Sequence, residues 1–175
     1  IDLTIFPYFS GPESQEKRPY VNADHMITWG CPKSCSYCIN AFYHTFYQGQ
    51  SRIRHYSPER IIAELELLKN TYGITYFHFH DEDFLLKSDA YLSRLASLYS
   101  RRINVPFSIM ASPGSVTESK VELLQEMKCS TVAFGIETGD LSIRSDLLGR
   151  MDSPEEIHRA VALFNRAGIR TSSFN

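Results

Sequence analysis

Three of the four cysteines in this chain stand at Cys31, Cys35 and Cys38, in the stretch ITWGCPKSCSYCINAFY. Clustered thiols in a reducing cytosol suit a metal site better than a disulfide framework. A structural zinc site takes four protein ligands, and the fourth candidates are Cys129, His25 and His44. Cys129 falls at the end of a helix, on the rim opposite the cluster, where a small buried thiol is the ordinary occupant. A cubane iron–sulfur cluster has four irons and takes thiolate ligands. Three thiolates on one short loop leave one of those irons open to a small molecule.

Other residues could also do chemistry. Asp81, Glu82 and Asp83 form the acidic triplet DED, and Glu137 to Asp140 read ETGD. His78 and His80 form an H-x-H pair that points to one side of a strand. Such a pair binds zinc in some hydrolases, which would leave the cysteines without a role. A cluster-bearing electron-transfer module is a third class, although full ligation by four cysteines is its usual design.

These residues need a scaffold. HMITWG is a short apolar run and reads as a strand. SPERIIAELELLKNTYG predicts a helix capped by Ser57 with Pro58 in its first turn, and Ile61, Leu65, Leu68 and Tyr72 keep helical spacing. ITYFHFH predicts a second strand. SDAYLSRLASLYSRR predicts a helix with Leu92, Leu95, Ala96 and Tyr99 on one face. VPFSIMAS, then TESKVELLQEMK capped by Thr117, then STVAFGIET continue the alternation. SPEEIHRAVALFNRAG opens on a capping box from Ser153 to Glu156 and closes on Gly168. IRTSSFN begins a fifth strand. Strands alternating with helices imply an α/β fold with a parallel sheet. In such sheets the chemistry lies at the C-terminal strand ends, which is where the cysteines, DED, SPGS and ETGD all fall. Residues 1–24 read as a linker or packing arm and residues 25–175 as the core, expected to be truncated after the fifth strand.

The chain has 175 residues and a formal charge of -2, which offers no electrostatic case for nucleic acid or an anionic membrane. No apolar run is long enough to cross a bilayer, and the first twenty residues lack the basic start and apolar centre of a signal peptide. The expected location is the cytoplasm.

CPKSCSYC resembles the signature of the radical S-adenosylmethionine (radical SAM) superfamily, including an aromatic residue, Tyr37, before the last cysteine. SPERIIAELELLKNTYGITYFHFHDEDF, VAFGIETGDLSIRSDLLGR and EEIHRAVALFNRAGIRTSSFN resemble segments of the subgroup whose members often carry an N-terminal cobalamin-binding domain. The resemblance runs from about Met26 to Asn175. It implies a partial (β/α)6 TIM-like barrel of the radical SAM type.

The resemblance also implies the site. Cys31, Cys35 and Cys38 would ligate a [4Fe–4S] cluster, and S-adenosylmethionine would chelate the open iron. Asp81 and Glu82 would grip the methionyl ammonium, in place of the glycine-rich motif usual in the family. Glu137 would bond the ribose hydroxyls, with Gly135 and Gly139 permitting close approach. Ser112 and Arg144 would meet the methionyl carboxylate, and Tyr37 would lie beside the adenine. Phe42, Tyr43, Phe46 and Tyr47 would screen the cluster or pack its loop. The partners implied are a small-molecule or natural-product substrate and an electron donor such as flavodoxin or ferredoxin. No cobalamin-binding D-x-H-x-x-G motif is present, so cobalamin would require an upstream domain.

Overall fold

The computed structural model of the protein describes residues 21–51 and 53–174. Most of the arm expected over 1–24 lies outside the described residues. Its last three positions do not form an arm: β1 (Asn22–His25) already belongs to the sheet.

The remaining elements follow in chain order. They are β2 (Thr28–Trp29), α1 (Ile39–Phe46), β3 (Arg54–His55), α2 (Pro58–Tyr72), β4 (Tyr76–Phe79), α3 (Asp89–Arg102), β5 (Phe107–Ala111), α4 (Glu118–Glu126), β6 (Cys129–Gly135), α5 (Pro154–Arg166) and β7 (Arg170–Phe174). Short 3-10 turns, Phe84–Leu86 and Pro113–Ser115, follow β4 and β5, and a π-turn, Ile143–Leu147, follows β6. Five strands form one parallel sheet in the order β1-β4-β5-β6-β7, and β2 and β3 make a separate antiparallel ribbon.

The caps expected at Ser57, Thr117 and Ser153 are in place, and Ser88 adds a fourth. Ser57, Ser88, Thr117 and Ser153 each accept the backbone N–H three residues on, filling donors that a helix start leaves orphaned. Helices α2 to α5 pack in succession against their neighbours, so all four cover the same side of the sheet. Strand alternation explains why. Phe107, Ile109 and Ala111 of β5 and Phe77 and Phe79 of β4 are buried beneath the helices. Ser108, Met110, Tyr76 and His78 face the concave side. A cluster of Phe79, Phe84, Phe107 and Tyr99, with ring centroids 5.1–5.4 Å apart along its chain of contacts, holds the centre. Each fully buried ring of this kind is worth about 1.5–3 kcal/mol.

The first strand differs from the expectation. HMITWG is not a continuous strand: the sheet takes residues 22–25, and the chain leaves it at Met26. The cause is Asp81, which is fully buried just past β4. Its Oδ1 accepts the backbone N–H groups of Ile27, at 3.1 Å, and of Thr28. These donors therefore serve a carboxylate, and Thr28 and Trp29 pair instead with β3. Lys87, also buried, approaches Asp81 Oδ2 at 3.9 Å. Burial lowers the Lys87 pKa to about 8, against the pull of Asp81 and Asp83. Burial also pushes the Asp81 carboxyl above its ordinary range.

Two outcomes follow. Asp81→Ala strands two backbone donors and an ammonium in the core, so it should cost about 3–5 kcal/mol, read from the denaturant midpoint; a loss under about 1 kcal/mol would mean that the exit of the chain from the sheet does not depend on it. Cys129 is buried at the start of β6, and burial pushes its thiol up to about 12. It should resist iodoacetamide at about pH 8.5 in the folded protein and react once unfolded, because the thiolate is the nucleophile; peptide mapping after alkylation reads this.

Candidate functional site

The cysteine loop starts after the exit that Asp81 enforces. Cys35 is buried, Cys31 and Cys38 are half-buried, and all three are free thiols. Backbone bonds from Cys38 N to Cys35 O (3.0 Å) and from Ala41 N to Cys38 O (3.1 Å) wind the loop into α1. Cys38 is the N-cap of α1 but its side chain caps nothing, which leaves its sulfur free. Asn40 Nδ2 donates to Cys38 Sγ at 3.5 Å. Among the described residues no three His, Cys, Asp or Glu side chains already stand as a metal-holding array. The donor chemistry nonetheless fits a thiolate-ligated cluster: three free sulfurs on one loop, one of them already accepting an amide hydrogen bond. Burial pushes the Cys31 thiol up, and Asp83 and Glu82 add to the rise, against the pull of Lys33. A bound metal supplies the charge that deprotonates such a thiol.

The histidines weighed as fourth ligands are engaged elsewhere. His44 bonds Cys31 O through Nε2 (2.7 Å) and Ser34 Oγ through Nδ1 (3.2 Å), so both nitrogens brace the loop. His25 stands 3.6 Å from Glu64. His78 bonds Ser108 Oγ and His80 bonds Asp24 on the concave face, with their rings 6.2 Å apart.

The opposite wall of the site is the segment after β6. The π-turn carries it back over the loop, where Ser36 N donates to Leu148 O (3.1 Å) and Ser36 Oγ to Leu147 O (2.6 Å). Gly149 has φ +65, and a Cβ there would meet Ser34 O at 3.5 Å and Cys35 Cα at 3.8 Å, so the two backbones run side by side. Glu137, although not glycine, has φ +66. Such a conformation costs about 1–3 kcal/mol and clusters at functional sites. It is held by the N–H groups of Ile136 and Glu137 donating to Phe174 O on β7. The Tyr37 hydroxyl donates to Glu137 Oε1 at 3.0 Å, tying the loop to this wall across the sheet. A Cβ on Gly135 would stand 2.6 Å from Glu137 Oε1, so glycine there gives the carboxylate its room.

The structure sorts the residues expected at the site. Tyr37 and Glu137 are brought together. Glu82 is exposed and lines a cavity of about 470 Å3 with Trp29, Tyr43, His44 and Arg54. Asp81, expected at the methionyl ammonium, is fully buried, and its carboxylate holds the chain exit. Arg144, expected at the methionyl carboxylate, is buried, and its guanidinium donates to Ile136 O and, at 3.2 Å, to Asp152 O, shaping the turn. Ser112 is buried, and its carbonyl accepts both the N–H and the hydroxyl of Ser115.

Four charged residues were not foreseen in the roles they take. Asp83 accepts Leu85 N and the Ser115 hydroxyl, while its Oδ2 has no hydrogen-bond partner. It lines a second cavity, about 420 Å3, with Lys33, Gly114, Ser115 and Asp152. Asp152 accepts Gly114 N at 3.1 Å and faces Lys33 at 3.3 Å. Burial pushes the Asp152 carboxyl up, but Lys33, the Gly114 amide and Arg150 outweigh it and hold it below the ordinary range. Arg150 Nη1 donates to the Tyr37 hydroxyl at 3.0 Å. Nothing local in LLGRMD marks these roles, because Tyr37 lies 113 residues from Arg150, and Lys33 and Gly114 lie 119 and 38 residues from Asp152.

Comparison with known proteins agrees with this geometry. Residues 26–175 match the family described as the radical SAM superfamily. An uncharacterised methyltransferase of Pyrococcus horikoshii is 26% identical over 144 residues, covering 82% of this chain and 30% of that protein. A cytidylyl-2-hydroxyethylphosphonate methyltransferase of Streptomyces wedmorensis is 22% identical over 147 residues, covering 83% of this chain and 26% of that one. The chain thus spans less than a third of the length of these relatives. The radical S-adenosylmethionine methyltransferase TsrM from Kitasatospora setae, solved with tryptophan substrate and a SAM analogue, superposes with a TM-score of 0.71 at 22% identity over 87% of this chain and 29% of its own. Methylornithine synthase (PylB) superposes at 0.65 with 13% identity, covering 88% and 44%. A cysteine triplet on the loop after the first strand of a parallel sheet, faced by a carboxylate from the fourth strand of that sheet, and a family match over six-sevenths of the chain lead to one conclusion: the chain belongs to the radical SAM superfamily.

Proposed function

We propose that this chain is the core of an enzyme in which Cys31, Cys35 and Cys38 hold a [4Fe–4S] cluster and the rim around them holds S-adenosylmethionine. The observation that carries this reading is the bond between loop and wall, Tyr37 to Glu137, beside three free cysteines. A cluster held there would supply the electron for reductive cleavage of the carbon–sulfur bond of S-adenosylmethionine, to methionine and a 5′-deoxyadenosyl radical that would take a hydrogen atom from substrate.

The protein's own residues bind and orient. Glu82 and Asp83, which both raise the Cys31 thiol, offer acceptors to the methionyl ammonium. Charge-assisted bonds of this kind are the strong ones. Lys33, on the cavity shared with Asp83, offers a cation to the carboxylate. Glu137 receives the ribose hydroxyls, its carboxylate aimed by the left-handed backbone. The aromatic face of α1, with Phe42 and Phe46 stacked at 5.8 Å, screens the loop from water.

The relatives named as methyltransferases support methyl transfer as the reaction class, with a small-molecule acceptor. Cobalamin, present in one TsrM structure, would come from a part of the protein other than this chain. An electron donor of the flavodoxin or ferredoxin kind and a cytoplasmic location complete the reading. No helix among the described residues is long and apolar enough to cross a membrane.

Anaerobic reconstitution should give about four irons per chain. Cys35→Ala should abolish this uptake and Cys129→Ala should not; equal loss in both would put the ligands elsewhere. Glu82→Gln and Glu137→Gln should each weaken S-adenosylmethionine binding by about one to two decades, the equivalent of a lost charge-assisted bond, with iron intact. Release of 5′-deoxyadenosine under dithionite should fall in parallel. Unchanged affinity in both variants would remove the acidic rim from the cofactor site.

A further inference from the structure

Arg150 meets three side chains of the site. Nη1 donates to the Tyr37 hydroxyl at 3.0 Å and lies 3.7 Å from Glu137 Oε1, and Nη2 lies 3.8 Å from Asp152. Only a tenth of its side chain is exposed. The preceding residue, Gly149, runs along the backbone of Cys35. Arg150 therefore joins the cysteine loop, the carboxylate at the end of β6 and the carboxylate that faces Lys33.

We propose that Arg150 is a positioning residue with two effects, resting on the cluster reading above: its fork fixes Tyr37 and Glu137 in one geometry for the nucleoside end of S-adenosylmethionine, and its permanent charge beside Cys35 raises the reduction potential of the cluster. The first effect needs the fork. A planar guanidinium can meet a hydroxyl and two carboxylates at once, whereas an ammonium is a point charge. The second effect needs only the charge. Reduction adds an electron next to a fixed cation, and in a half-buried site that attraction is poorly screened. Burial pulls the Arg150 guanidinium down, while Tyr37, Cys35 and Asp152 pull it up and prevail, so the charge stays in place at every working pH.

Because fork and charge separate, two substitutions separate the effects. The reconstituted wild type, Arg150→Lys, Arg150→Gln and Tyr37→Phe are compared by iron content, by redox titration followed through the electron paramagnetic resonance of the reduced cluster, and by S-adenosylmethionine titration. Arg150→Gln should lower the potential by about 59 mV, a tenfold loss in the one-electron reduction constant. Arg150→Lys should keep the wild-type potential. Both, and Tyr37→Phe, should weaken S-adenosylmethionine about tenfold with iron near that of the wild type. A purely structural arginine would lower iron loading and leave the potential of the loaded fraction unmoved. Equal potentials in the Gln and Lys variants overturn the charge effect, and wild-type affinity in the Lys variant overturns the fork. Should Arg150→Gln fail to load, the Lys and Phe variants still decide the fork. A wild type that takes up no iron overturns the cluster assignment itself, a result none of the substitutions can mimic.

Discussion

The buried carboxylate of Asp81 decides where the first strand ends. Its Oδ1 takes the N–H groups of Ile27 and Thr28, which in a longer strand would join the ladder to β4. A buried backbone donor must find a partner, and here the partner is an acid rather than a strand. The chain therefore turns out of the sheet at Met26, with only β2 between that exit and Cys31. Lys87 accompanies the charge in the core. A buried pair of this kind is weak evidence for stability, and its value here lies in specifying a route. The cysteine loop begins where it does because Asp81 sits where it does.

From that origin the loop is held on two sides by different physics. On one side His44 and Asn40, both presented by α1, bond Cys31 O and Cys38 Sγ. These contacts are local, 13 and 2 residues along the chain. On the other side the π-turn brings Leu147, Leu148 and Gly149 against Ser36 and Cys35, and Arg150 against Tyr37. A π-turn is rare in proteins and frequent at functional sites. Arg144, buried at its centre, takes the carbonyls of Ile136 and Asp152 and so fixes both ends of the excursion. The strained backbone of Glu137 belongs to the same arrangement, since it is β7 that supplies the acceptor for its N–H.

The concave face of the sheet is polar where the helix face is apolar. His78 pairs with Ser108, His80 with Asp24 and Tyr76 with Ser130 there. The H-x-H pair that reads in sequence as a zinc motif is thus two separate hydrogen-bonded pairs, one to a hydroxyl and one to a carboxylate. Side-chain direction put both imidazoles on one face. Their partners come from β5 and β1, which no spacing within ITYFHFH could disclose.

How far the sequence reached follows from the range of the interactions. The helix caps at Ser57, Thr117 and Ser153 and the face of Leu92, Leu95, Ala96 and Tyr99 are written within a few residues and stand as read, and the cysteine triplet is written just as locally. The order of a parallel sheet follows from strand and helix alternation for the same reason. The early end of β1 was hidden because its cause lies about fifty residues on, at Asp81. The short helix α1 was hidden because its aromatic residues are mostly exposed and give no buried stripe. Arg144 and Arg150 look alike in sequence, two arginines in one loop, yet one is spent on carbonyls inside the turn and the other faces Tyr37 and Glu137. The sequence by itself determined which elements form and which residue types the rim carries, because local periodicity and capping are short-range. Only the tertiary structure decided which carboxylate serves the backbone, which arginine meets the cysteine loop, and which side chains share a cavity, because each of those choices depends on a partner brought from a distant part of the chain.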